Sequence, residues 1–241
     1  ASSNMEDHVA AARCFKVMTD GGSAEDFAAA VKRARMAGTP KPGDLSCTPD
    51  PLETLSAEDC LAKLKECKIL AVKDQEGGSY PSVLGIPIVK IPFSELNAAW
   101  EKADKDEARA IADQWEKNAA DIIDVSRETL ENSAAMYLGE KAVLEKHGAN
   151  AITINCLGGF YGGHIHAYPC LGFHELNNQG LIGACECDTR STATMVAFTA
   201  LTQGRPGYIS DPVVDTAKRQ IIYAHCVASN KVFGPDGAAN P

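Results

Sequence analysis

The sequence predicts an α/β fold, a Rossmann-like and mainly parallel sheet flanked by helices. Short apolar runs of strand type alternate with longer stretches of helical periodicity. That order of strand, helix and strand implies right-handed βαβ units. The residues with chemistry gather just beyond one of these strands, where parallel sheets place their ligands.

Residues 7–19 are Ala-rich and helix-compatible. Ser23 with Asp26 three positions on reads as an N-cap for a helix to about Met36, stopped by Gly38-Thr-Pro-Lys-Pro-Gly43. Thr48 to Leu55 is a Pro-bearing loop. Ser56-Ala-Glu-Asp59 resembles a capping box, and Leu61, Leu64 and Cys67 follow at helical spacing. Lys68 to Lys73 is a strand, Asp74 to Pro81 a polar loop, and Ile86 to Pro92 a second strand whose prolines place it near an edge. Ser94 begins a helix. The span from Asp104 to His147 is helical with a break near Ser126, and Gly148 is its C-cap. Ala151 to Asn155 is a buried strand. Thr192 to Leu201 is a helix stopped at Gln203-Gly-Arg-Pro-Gly207. Tyr208-Ile-Ser and Ile221-Ile-Tyr-Ala are further strand candidates.

At 241 residues the chain is long enough for one or two domains. Its net charge of −9 and lack of a basic run exclude the usual nucleic-acid footprint. No apolar run is long enough to span a bilayer, and the polar start is unlike a signal peptide. Nine cysteines at irregular spacing read as reduced thiols of a cytoplasmic protein rather than a disulfide framework. The beginning at Ala1 and the end in Gly-Pro-Asp-Gly-Ala-Ala-Asn-Pro241 both read as cut ends.

The segment from Asn155 to Cys226 holds four of the six histidines and five of the nine cysteines. Glu175, Glu186 and Asp188 sit there among small and apolar neighbours, and buried carboxylates need a cation or a hydrogen-bond network. Glu186 and Asp188 are two apart and would share one face of a strand, a pair able to hold Mn²⁺ or Mg²⁺. The competing reading is capping or ion pairing near Arg190. His225, at a strand end before Cys226, is the best imidazole ligand; His164 and His166 lie in a Gly-rich loop, and His174 is a further candidate. Cys156, Cys170, Cys185, Cys187 and Cys226 lack paired CxxC clips, so core packing competes with a thiolate metal site. Gly158 to Gly163 lacks the spacing of a phosphate-binding loop.

The stretch from Tyr168 through His174-Glu-Leu-Asn-Asn to Ala184-Cys-Glu-Cys-Asp188, with Gly204-Arg-Pro-Gly207, Ser210-Asp-Pro212 and Ala224-His-Cys226, resembles the L-fucose isomerase/L-arabinose isomerase-like superfamily. Within it, the shorter fucose-isomerase-like branch is the nearer likeness. The resemblance runs over roughly Ile69 to Gly237 and implies a partial chain. Residues 1–67 would end an N-terminal α/β domain, and residues 68–241 would be a Rossmann-like second domain running into the start of the catalytic domain. It implies metal-dependent aldose–ketose isomerisation of a deoxy or pentose sugar through an enediol, with Mn²⁺ or another divalent cation. Glu175 would be base and ligand, Asp188 the second acidic ligand, and His225 the substitute for the family's histidine. Asn155, His174 and Glu186 would line the sugar site. The resemblance further implies a homo-oligomer, trimer or hexamer. A non-catalytic sugar-binding or regulatory protein, a sugar epimerase and a thiol–metal protein stay open as alternatives.

Overall fold

The computed structural model describes residues 5–38, 52–215, 218–226 and 228–239. These group into two compact units, Ala1–Asp50 with Asp211–Ala224, and Pro51–Ser210 with His225–Pro241.

In the smaller unit, α1 (Met5–Thr19) packs on α2 (Ala24–Gly38) through Phe15 and Phe27, whose ring centroids are 5.5 Å apart. The Ser23–Asp26 capping box forms as expected, the hydroxyl accepting from Asp26 N at 3.1 Å. β6 (Asp211–Asp215) and β7 (Gln220–Ala224) make an antiparallel hairpin. Arg35 Nη2 donates to Val214 O at 3.1 Å and pairs with Asp215, tying α2 to that hairpin.

The larger unit is the expected α/β layer structure. Its sheet has the order β2-β3-β1-β4-β5, from β1 (Ile69–Val72), β2 (Gly78–Val83), β3 (Ile86–Ile91), β4 (Ala151–Ile154) and β5 (Ile182–Cys185). β1, β3, β4 and β5 are parallel, and β2 joins antiparallel at the edge. Successive residues of a strand point to opposite faces. Leu70 and Val72 of β1 therefore enter the core under α4 (Phe93–Glu101), α6 (Arg127–His147) and α8 (Cys170–Asn178). Ile69 and Ala71 enter the core under α3 (Ala57–Glu66) and α9 (Thr189–Leu201). With both faces covered, β1, β4 and β5 are buried along their whole length, as all-parallel strands require.

Side chains punctuate the helices where the sequence placed them. Ser56 Oγ accepts from Asp59 N at 3.1 Å to start α3. Asp104 caps α5 (Lys105–Asn118) by accepting from Asp106 N and Glu107 N. Ser126 caps α6, so the expected break splits the long helical stretch in two. Gly148 ends α6 in the left-handed region at φ 55°, a conformation glycine adopts without a Cβ penalty. Arg127 at the head of α6 bonds Asp113 and Glu116 of α5 and Glu131 of its own helix, which raises its already high pKa.

Four expectations are corrected. Asp74 to Pro81 is not all loop, because Gly78–Val83 forms β2, and β3 is thereby one strand in from the edge. β2 is mostly exposed and lacks apolar alternation, so no periodicity marked it; Pro81 falls where its register shifts, the position an edge strand tolerates. The Gly-rich loop after β4 begins with a short helix, α7 (Cys156–Tyr161), capped by Asn155 Oδ1 accepting from Gly158 N. α9 begins at Thr189 rather than Thr192, because Asp188 caps it. Tyr208–Ser210 is irregular, and β6 starts at Asp211. The stop signal beyond Gly38 and the loop from Thr48 through residue 51 lie outside the described residues.

Two positions in this core yield measurable consequences. A Cβ on Gly183 of β5 would sit 2.8 Å from Cβ of the fully buried Phe173 and closer still to its backbone, because α8 crosses β5 there. Gly183→Ala is expected to lower unfolding free energy by roughly 1–3 kcal/mol, read by denaturant titration. Glu140 lies on the buried face of α6, fully buried, and neither carboxyl oxygen has a hydrogen-bond partner. Burial pushes its pKa well above the ordinary 4.5. The folded form thus keeps a proton that the unfolded chain releases above pH 4.5, so stability is lost as pH rises from there toward the folded pKa. Glu140→Met is expected to raise stability at pH 7 by roughly 1–3 kcal/mol and to flatten its decline with pH. Thermal melts of both proteins from pH 4 to pH 8, in roughly unit steps, check this; equal pH slopes would refute it.

Candidate functional site

The parallel register sets Val72, Ile91, Ile154 and Cys185 side by side, so the strands end on one line. β1 leads outward to β3 on one side and, later in the chain, β4 lies on its other side. A crevice at such a switch point is where open α/β sheets bind ligands. Lys73, Asp74, Asn155, Cys156, Glu186, Cys187 and Asp188 all follow directly on these strand ends.

Asn155 locks two of the ends together. Its backbone N donates to Val72 O at 2.8 Å and its Nδ2 to Lys73 O at 3.2 Å, while its Oδ1 caps α7. A side chain so committed is a brace for the crevice. Beside it, Lys90 pairs with Asp74 at 2.9 Å, and the ammonium holds the Asp74 carboxyl below the usual carboxylate range.

After β5 the chain turns through two left-handed residues, Glu186 (φ 66°) and Cys187 (φ 56°), a strained pair in a non-glycine turn. Two contacts hold the turn. Cys187 N donates to Ile154 O at 3.1 Å, and Asp188 caps α9. Asp188 Oδ1 accepts from Arg190 N and Ser191 N, and its Oδ2 from Ser191 Oγ at 2.6 Å. Partial burial raises the Asp188 pKa, but these hydrogen bonds outweigh it and leave the carboxyl below its ordinary range. Burial pushes the Cys187 thiol up to about 11.

His225 reaches the same edge. Its Nδ1 faces Ile209 O at 3.0 Å and therefore donates, which leaves the Nε2 lone pair for a ligand. A Glu186 oxygen and a His225 ring nitrogen lie within 4.8 Å of each other. Cys185, His225 and Cys226 form a second group with the same spacing. Two more thiols join it, since Cys156 hydrogen-bonds with Cys185, and Cys170 Sγ lies 3.6 Å from Cys226 Sγ. Hydrogen bonds from Cys170 and Cys185 favour the Cys226 thiolate, the bond with Cys185 draws Cys156 down to about 6, and Cys170 and Cys185 are driven up.

The six nominated residues thus divide. Glu186 and His225 meet at the carboxyl edge, with Asp188 and Asn155 bracing the turns beside them. Glu175 and His174 stand elsewhere, on α8. Trp115 Nε1 donates to Glu175 Oε1 at 2.8 Å in a groove of about 520 Å³ that also takes in Ile122, Leu171 and Lys231. His174 Nδ1 donates to Ala228 O at 2.8 Å and its Nε2 accepts from Asn178 Nδ2, so it fastens the C-terminal segment to α8. Among the described residues, neither Glu175 nor Asp188 joins a group of three or more candidate ligands within 4.8 Å. The expected trio of Glu175, Asp188 and His225 does not assemble in this structure. The physical reason is that α8 turns Glu175 toward α5, and the α9 cap consumes Asp188. His164 stacks on Phe93 at 5.5 Å, and His166 lies 5.8 Å from Trp100. The sequence did not single out Glu140. The available signal was an acid at helical spacing among Met136, Tyr137, Val143 and Leu144 on the apolar face of α6.

No family model matches the chain. The chain is similar to sulfoquinovose isomerase of Priestia aryabhattai and to sulfoquinovose isomerase of Priestia megaterium (strain ATCC 12872 / QMB1551), 24% identical to each over 202 residues. The match takes in 79% of this chain and 43% of each relative, so the chain spans less than half the length of these curated relatives.

Proposed function

We propose that the chain carries part of a metal-dependent aldose–ketose isomerase acting on a sugar. The similarity over 202 residues to two sulfoquinovose isomerases carries this reading. Sulfoquinovose, as in those relatives' name, and deoxy or pentose aldoses, as the family resemblance implies, are the substrates to test. The polar residues beyond the ends of β1, β4 and β5 support a ligand site there.

Glu186 and His225 are the residues that would hold a divalent cation, with manganese as the first choice. A carboxylate and an imidazole within 4.8 Å are a mixed oxygen and nitrogen donor set suited to it. Bound there, the cation supplies polarisation of a sugar carbonyl. Ile209 O accepts from His225 Nδ1 and orients the ring, so that Nε2 is the nitrogen turned to a ligand. Asp188 holds the N-terminus of α9 and thereby the left-handed turn that carries Glu186. The Glu186 carboxylate is exposed at that turn, where it can take or return a proton. Glu175 belongs to the Trp115 groove, and its expected role as base and ligand is the part that variants decide. Assembly into a trimer or hexamer belongs to the same proposal.

The test is manganese content and aldose consumption by the full-length protein, with Glu186→Gln, His225→Asn, Asp188→Asn and Glu175→Gln compared. The expected outcome is near-stoichiometric manganese, lost in Glu186→Gln and His225→Asn, and turnover reduced about 10²–10⁴-fold in Glu186→Gln. Loss of metal in Glu175→Gln with retention in Glu186→Gln would move the site to α8. Protein that binds a sugar but takes up no manganese and converts no aldose would instead be a non-catalytic sugar binder.

A further inference from the structure

We propose that Cys156, Cys170, Cys185 and Cys226 form a thiolate site for a thiophilic divalent cation of the zinc type. It does not rest on the isomerase reading, and it adjoins the Glu186–His225 pair through His225, which lies within 4.8 Å of Cys185 and Cys226. The four thiols come from four places in the larger unit: the first residue of α7, the first residue of α8, the end of β5, and the segment after β7. They are far apart in sequence and carry no paired clips, so only the fold gathers them.

The geometry is that of an open cluster. Cys170 Sγ and Cys226 Sγ are 3.6 Å apart. Two sulfurs on one tetrahedral zinc, each at about 2.3 Å, stand roughly 3.8 Å apart. Cys185 Sγ lies within 4.8 Å of Cys226 and also hydrogen-bonds with Cys156. The contacts run in a chain from Cys156 through Cys185 and Cys226 to Cys170. Cys185 is fully buried at the end of a parallel strand, Cys156 and Cys170 are half-buried, and Cys226 is exposed, so the site has a dry floor and an open entry.

A second observation points to the same place. The Glu140 carboxyl is fully buried without a hydrogen-bond partner, packs against Gly172 two residues into α8, and acts electrostatically on Cys170. Chemistry separates the two sites. Four sulfurs select a soft or borderline cation, whereas Glu186 with His225 suits a harder one. On binding, thiol protons leave to solvent and sulfur lone pairs make the metal bonds, with no change of oxidation state.

The experiment adds zinc to the reduced, metal-stripped full-length protein and counts bound metal. Cobalt serves as an optical probe for sulfur ligation, and reactive thiols are titrated before and after zinc. One zinc per chain is expected, with sulfur-to-cobalt charge-transfer absorption and slower reaction of the cluster thiols. Cys170→Ser and Cys226→Ser should each weaken binding at least about tenfold, while Glu186→Gln and the remote Cys60→Ser leave it intact. The thiol titration of unmutated protein keeps the test valid if a serine variant fails to fold. No zinc uptake, uptake unchanged in both serine variants, or loss in Glu186→Gln would overturn the proposal. So would a Cys170–Cys226 disulfide in protein isolated without reductant.

Discussion

The in-register parallel pairing of β1 with β3 and β4, and of β4 with β5, is the constraint on which the rest depends. It ends four strands on one line and so brings their following residues, up to more than a hundred positions apart in sequence, to one edge. Parallel ladders must be covered on both faces because their strands carry apolar side chains on both. The helices of the larger unit supply that cover, which leaves the carboxyl edge as the place where polar groups can collect. A slip of one residue between β4 and β5 would exchange the faces of Ile182 and Gly183 and remove the smallest residue from beneath Phe173.

Caps translate that sheet into a site. β4 and β5 each hand over to a helix, and a polar residue within three positions of the strand end is spent on the handover. Asn155 caps α7 and also ties β4 to β1, and Asp188 caps α9. A carboxylate accepting several hydrogen bonds at a helix start gives stability and orientation, and it has little capacity left for a cation. This explains why Asp188 supports the edge while the less committed Glu186, displaced outward by a left-handed turn, meets His225.

The edge carries two kinds of donor within a short distance, oxygen and nitrogen on Glu186 and His225, and sulfur on four cysteines. Such neighbours differ in the cations they prefer, because ligand softness and geometry select the metal more than raw affinity does. The buried, unpartnered Glu140 beneath α8 belongs with the sulfur side. A buried carboxyl with no partner costs stability, and a fold keeps that cost where the group has something to do or where packing leaves no substitute.

The sequence by itself determined most of the alternation of strands and helices, the caps at Ser23, Ser56 and Gly148, the break near Ser126, and the segment in which the histidines and cysteines collect. These are local matters of periodicity, capping side chains and backbone freedom, written within a few residues of where they act. It missed β2, whose exposed edge position needs no apolar alternation, α7 and α8, whose short turns are set by caps and packing, and β5, a four-residue run after which Glu186 to Asp188 turn into a helix start rather than sharing a strand face. Only the tertiary structure decided which of these side chains meet. Whether Glu175 faces a metal or Trp115, whether Asp188 binds a ligand or a helix start, and whether four scattered cysteines meet depend on register and on helix rotation over the sheet. Those are sums of contacts between distant residues, and no local spacing encodes them.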